Sequence, residues 1–181
     1  MDHIIYTAMS GANRITEQEA SITNNLANAN TPGFREQLSV YRSVPVYDNV
    51  SLPTRVTTVA TTPSSNFQLG AVHETGRALD VAMNGQGWLA VQSGQGEAYT
   101  RNGNLQVGAN GVLQTAQGQP VLSDQGAPID VPDQATLTIT SDGTITALGA
   151  GDTPNNLITL GRLKLVNAPD KQLTRGDDGL F

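Results

Sequence analysis

The sequence predicts a mainly β protein with a long N-terminal α-helix, arranged as a helical heptad segment over residues 1–35, an extended connector over 36–70 and a compact antiparallel β domain over 71–181. Three observations carry this reading. Apolar or small residues recur three and four apart through the first 28 residues. The stretch from Asn24 to Arg35 then closes that pattern with Thr31-Pro32-Gly33. Beyond about Ala71, short Val, Leu and Ile runs are punctuated by Asn-Gly, Gln-Gly and Asp-Gly dipeptides, the signature of strands joined by tight turns. The 19 glycines, 9 prolines and only 4% aromatics point the same way, to short strands around an aliphatic core.

In the helical segment the recurring positions are Ile5, Ala8, Ala12, Ile15, Ile22 and Leu26, an a/d seam interrupted once by Glu19. Capped by Asp2 and running to about Asn28, such a helix is roughly 40 Å long. Asn13, Arg14, Thr16, Glu17, Thr23 and Asn24 occupy the opposite face, which can be wet or polar-packed. Gly11 costs about 1 kcal/mol of helix propensity but lets another helix approach closely. An isolated amphipathic helix most often folds back on its own domain, yet no later segment offers a second helical seam, so this one lacks an intrachain mate. At its end Pro32 cannot continue a helix, Gly33 can reverse the chain, and the asparagines offer polar handles where helix carbonyls lose their partners.

The connector, with Pro45, Pro53 and Pro63, reads as extended chain, either solvated or with Tyr41, Val44, Val46, Val56 and Val59 in short edge strands. Asn49-Val50-Ser51 fits a glycosylation acceptor on three residues only. In the β domain, Leu79, Val81 and Met83 alternate ahead of Asn84-Gly85-Gln86-Gly87. Trp88 and Ala90 then face one way and Leu89 and Val91 the other. Asn102-Gly103 and Asn110-Gly111 are the strong tight-turn dipeptides, Gln117-Gly118 and Gln125-Gly126 weaker ones. Asp142-Gly143 joins Leu137–Thr140 to Thr144–Ala147, and Leu157–Val166 is a further strand or strand pair. Asp80, between two apolar residues, is expected to bond to backbone, and Trp88 to plug the core.

Several function classes find little support. The formal charge of −6 without a basic cluster argues against nucleic acid and anionic lipid as partners. The absence of cysteine removes disulfides, thiol nucleophiles and thiolate metal sites. No apolar run reaches the length of a membrane span, and Asp2, His3, Asn13 and Arg14 interrupt any secretory signal, so the residues alone read as cytoplasmic. His3 and His73 are far apart and lack zinc-site spacing. Gly85-Gln86-Gly87 and Gly94-Gln95-Gly96 are turn glycines without a dinucleotide fingerprint. Asp80, Glu97, Asp124, Asp130 and Asp142 could supply a glycosidase pair, but carboxylates scattered over turns are usually solvated or capping. Arg175-Gly176-Asp177 spells an adhesion tripeptide by coincidence. No catalytic residue, metal or cofactor is expected.

Asn-Asn-Leu-Ala-Asn-x-Asn-Thr-Pro-Gly-Phe-Arg, from Asn24 to Arg35, resembles the signature of the flagellar axial family, the rod, hook and hook-associated proteins of the bacterial flagellum. The opening Met-Asp-His-x-Ile-Tyr-Thr-Ala-Met, Leu79-Asp80-Val81-Ala82 and Gly87-Trp88-Leu89-Ala90-Val91 extend the likeness from Met1 to Phe181, nearer the proximal than the distal rod subunit. The resemblance implies a structural subunit of the basal-body rod, not an enzyme. Its terminal helix would pack against neighbouring subunits around an axial channel, with the β domain as outer layer. The assembly interface it implies comprises Ile5, Ala8, Gly11, Ala12, Ile15, Ile22, Asn24, Asn25, Leu26, Asn28, Asn30, Thr31, Pro32, Gly33 and Phe34.

The partners implied are like and related axial subunits and the flagellar type III export apparatus, with export to the periplasm and no cleaved signal. In relatives an Asp-Asp-Gly-x-Phe stretch precedes a return segment and a C-terminal helix. Here the sequence stops at Gly179-Leu180-Phe181 with no closing turn, so both are expected to be missing. The rival reading is a secreted carbohydrate-binding β module that holds sugar through Trp88 and turn carboxylates, with the helix as an oligomerisation stalk.

Overall fold

The structure, a computed structural model, describes residues 2–45, 56–60, 64–149, 151, 156–169, 172–176 and 178–181. The chain divides into two compact units, Met1–Phe67 and Gln68–Phe181.

The first unit is led by α1, Asp2–Ala27, a helix of 26 residues. Beyond it the backbone turns through hydrogen bonds from Thr31 N to Asn28 O (2.9 Å) and Phe34 N to Thr31 O (3.2 Å). Gly33 sits at φ 72°, a conformation a β-carbon would oppose. The reversed chain forms a narrow ribbon. β2 (Tyr41–Pro45) pairs antiparallel with β3 (Val56–Ala60), Tyr41 opposite Ala60 and Pro45 opposite Val56; β1 (Gln37–Leu38) pairs with β4 (Ser64–Ser65). Thus Tyr41, Val44, Val56 and Val59 lie in strands, while Val46 and Asn49-Val50-Ser51 fall outside the described residues.

Among the described residues the second unit is built from three small antiparallel sheets. β5 (Trp88–Ser93) is central, between β6 (Gly96–Thr100) and β12 (Leu165–Val166); β7 (Leu105–Val107) pairs with β8 (Leu113–Thr115); and β10 (Thr144–Leu148) lies between β9 (Thr136–Ile139) and β11 (Ile158–Arg162). Single bridges stitch the sheets together, among them Val91 to Val121, Ser123 to Leu163 and Val112 to Asp130. Leu89, Val91, Leu105, Leu113, Val121 and Ile145 are completely buried at the centre.

Trp88 is buried as expected, and Leu89, Ala90 and Val91 are buried with it, because β5 is covered on both faces. Several details depart from the sequence reading. Asn102-Gly103 is no hairpin turn. Asn102 is buried, donates to Gln117 Oε1 (2.8 Å) and accepts from Asn104 N (3.0 Å), while Gly103 O accepts from Val81 N (2.9 Å). Leu79–Met83 is therefore tied to β7 by single links instead of forming its own ladder strand. Leu157–Val166 divides into β11 and β12, which serve different sheets. A closing turn does exist: Gly179 N donates to Gly176 O, and Phe181 exchanges backbone hydrogen bonds with Tyr99 (2.7 and 3.0 Å), extending the sheet past β6.

Candidate assembly surface on the N-terminal helix

The two faces of α1 are used differently. On one face a stripe of polar residues docks on the ribbon. Ser10 Oγ lies 3.2 Å from Thr57 Oγ1, Ser21 Oγ lies 2.9 Å from Ser39 Oγ, and Tyr41 Oη donates to Arg14 O (3.3 Å). Asn25 clamps the start of β1 from both sides, its amide donating to Gln37 O (3.0 Å) and its Oδ1 accepting from Gln37 N (2.9 Å). Ser10, Arg14, Ser21 and Asn25 fall within about 60° of one another at 100° per residue.

The heptad seam lies about 140° away round the helix and is uncovered. Ile5, Ile15, Ile22 and Leu26 are 55%, 61%, 56% and 75% exposed, and Ala8 and Ala12 are exposed with them. Gly11, between the faces, is half-buried, and the volume where its β-carbon would stand is empty to 4 Å. Of the residues expected opposite the seam, only Arg14 is half-buried under the ribbon, while Asn13, Thr16, Glu17, Thr23 and Asn24 are exposed; the apolar seam is open. The sequence reading leaves that face either wet or polar-packed and the ribbon either solvated chain or edge strands. It missed Ser10, Ser21, Ser39 and Thr57, because hydroxyls on a helix surface carry no sign of whether their partner is water or protein. Met9 (53% exposed), which adds apolar surface beside the seam, was also missed.

The Asn-rich end is a turn built from its own side chains. Asn24 O accepts both the backbone N (3.1 Å) and the side-chain amide (3.0 Å) of Asn28, and Asn28 Oδ1 accepts from Thr31 Oγ1 (3.3 Å). Asn24, Asn30 and Pro32 are exposed, while Asn25, Asn28, Thr31 and Phe34 are half-buried. Asn25, Asn28, Ala29, Thr31, Gly33, Phe34 and Glu36 enclose an open cavity of about 290 Å³.

Four of the residues considered for chemistry are engaged in structure. Trp88 is 2% exposed, its ring 4.8 Å from that of Phe181 and under the Arg101 guanidinium at 6.0 Å, so it presents no platform for a sugar. Asp80 accepts from Thr75 Oγ1 (2.6 Å) and pairs with Arg77 (3.4 Å), side-chain partners in place of the expected backbone. Glu97 pairs with Lys164 (2.7 Å). The Asp142 carboxylate is bonded by the Thr140 hydroxyl, the Thr144 hydroxyl (2.8 Å) and Thr144 N (3.3 Å), which together hold its pKa down to about 2. A group so far below neutrality is fixed as the anion and cannot act as a general acid.

Comparison with known proteins bears on both units. Residues 5–35 match the family described as flagella basal body rod protein, and residues 82–147 match the flagellar hook protein FlgE/F/G D1 domain. The sequence is 52% identical over 182 residues to the flagellar basal-body rod protein FlgF of Salmonella typhimurium and to that of Escherichia coli, spanning 100% of this chain and 71% of each relative. It is 34% identical over 183 residues to FlgF of Caulobacter vibrioides, spanning 99% of this chain and 71% of the relative. The flagellar basal-body rod protein FlgG of Bacillus subtilis is 31% identical over 131 residues, 65% of this chain and 50% of the relative.

Proposed function

We propose a mode of assembly for this chain from the premise that it belongs to the family of the flagellar basal-body rod protein FlgF and is a structural subunit of the flagellar basal-body rod. In this mode the exposed face of α1 packs against helices of neighbouring axial subunits, of the same and related kinds. Residues 1–35 contribute to the rod core, 36–70 link, and 71–181 form the outer body. The observation that carries the reading is the division of labour on α1: a polar stripe through Ser10, Ser21 and Asn25 is held by the ribbon while Ile5, Ile15, Ile22 and Leu26 stand open. Completing the burial of each large aliphatic side chain contributes up to about 1.5 to 3 kcal/mol.

Before assembly the helix has little holding it. Hydrogen bonds to the ribbon contribute about 1 kcal/mol each, against an ordering cost of about 1 to 2 kcal/mol per residue. Folding of α1 is therefore coupled to polymerisation, which suits passage through the flagellar type III export apparatus as an unfolded chain and assembly in the periplasm without a cleaved signal. The role is mechanical, with no catalytic turnover, cofactor, nucleic acid or direct lipid contact. The proximal rod is favoured over the distal because identity to FlgF extends over the whole chain and identity to FlgG over part of it. The buried Trp88 disfavours the carbohydrate-binding alternative.

The test is incorporation of a tagged full-length chain into purified basal bodies. Ile15→Asp or Ile22→Asp places a charge on the packing face and is expected to abolish incorporation and motility, while the fluorescence of Trp88 in the second unit stays native. Normal motility in either variant would overturn the packing mode.

A further inference from the structure

The cavity at the end of α1 is more than a by-product of the turn. We propose that it is a cation socket, which receives an arginine or lysine side chain from a neighbouring axial subunit; this rests on the assembly reading above. Three features of the site converge on positive charge. The cavity opens at the C-terminal end of a 26-residue helix whose last turn contains no basic residue, the end where the helix dipole attracts a cation. Its one ionisable lining residue is Glu36, an exposed carboxylate that accepts from the neutral amide of Asn66 at 3.3 Å. Arg35, next in sequence, is 8% exposed and does not line the cavity.

The rest of the lining is braced once α1 is folded on the ribbon: the Asn25 amide is held at both ends by Gln37, and Asn28 is held by Asn24 and Thr31. Phe34 and Ala29 supply apolar surface against which the methylenes of a long basic side chain can lie. A cavity of about 290 Å³ has room for a whole side-chain head group. An organic cation on a flexible stem fits both.

The experiment compares tagged full-length Glu36→Lys, Glu36→Gln and Ile22→Asp chains in purified basal bodies, each also made with Ser21→Cys and Ser39→Cys. The chain has no native cysteine, so an intrachain disulfide between these two positions reports that α1 is docked on the ribbon. Glu36→Lys is expected to lower incorporation by at least about tenfold, the loss typical of a like charge placed opposite a desolvated cation. Glu36→Gln should fall in between, and the disulfide should still form in both. Suppressors of Glu36→Lys should replace an arginine or lysine of another axial subunit with an acidic residue. Incorporation of Glu36→Lys within twofold of the unchanged chain, or a loss that comes with failure of the disulfide, overturns the socket. If Ile22→Asp is excluded while Glu36→Lys is incorporated, the socket alone fails; if both are incorporated, the assembly reading fails with it.

Discussion

Gly103→Ala should unfold the second unit under conditions where the unchanged chain is stable, and its effect can be worked out from a single contact. A β-carbon at Gly103 would stand 1.7 Å from the carbonyl oxygen of Val81 and 2.8 Å from its carbonyl carbon. Reaching even the 3.0 Å that real β-carbons tolerate needs a movement of about 1.3 Å between two backbone segments. Those segments are joined by Val81 N to Gly103 O (2.9 Å), Leu105 N to Leu79 O (3.3 Å) and the bridge between Asp80 and Asn104. They also carry Leu79, Val81 and Met83 against the core. Two hydrogen bonds at about 1 kcal/mol each, with partial loss of that packing, give a cost of about 3 to 4 kcal/mol.

The assay is urea denaturation followed by fluorescence of Trp88, which is the only tryptophan and lies buried in this unit. At about 2 kcal/mol per M for a unit of this size, the midpoint should fall by about 1.5 to 2 M. A shift smaller than about 0.5 M would refute the claim that this contact is rigid.

Two further outcomes are expected. Gly11→Ala meets no atom within 4 Å in this chain and should raise helicity by circular dichroism, at about 1 kcal/mol of helix propensity. It should also reduce incorporation into basal bodies if a neighbouring helix approaches there, and unchanged incorporation would remove Gly11 from the interface. Asp142 should titrate at about 2 by carboxyl NMR, below its ordinary 3.8. Because its folded pKa is depressed, its contribution to stability is present above the unfolded value near 3.8 and disappears as pH falls through about 2, so the unchanged chain should lose its advantage over Asp142→Asn across that window. Titration at or above 3.8 would show that the threonine bonds do not hold in solution.

The parts of this fold that the sequence displayed were those governed by local rules. Helix α1 and its end followed from 3.6-residue periodicity and from Pro32 and Gly33, and the β9–β10 hairpin from Asp142-Gly143 between two β-branched runs. Long-range pairings left no local trace. Nothing in Asn102-Gly103 distinguishes a hairpin turn from a buried crossing beneath Val81, and nothing in Ser123 or Leu163 announces the bridge between them. The same limit applies to the candidate site. Its apolar half was legible as spacing, whereas the docked half depends on Ser10 meeting Thr57, 47 residues away, and on Asn25 meeting Gln37.

The chemistry of the two faces of α1 bears on how such a helix could be exported, folded and built into a shaft. Had the ribbon covered Ile15 and Ile22, burial would have stabilised the lone chain by several kcal/mol and left no apolar area for a neighbour. Hydrogen bonds between hydroxyls and amides exchange with water at small net gain, so docking through Ser10, Ser21 and Asn25 orients the helix while adding little stability. Orientation is what a repeating assembly requires of each subunit, since a seam presented at the wrong angle buries nothing. The exposed isoleucines are an aggregation liability in an isolated helix. On the proposed reading that liability is contained by weak folding of α1 before assembly, and the driving force is released when neighbours cover the seam.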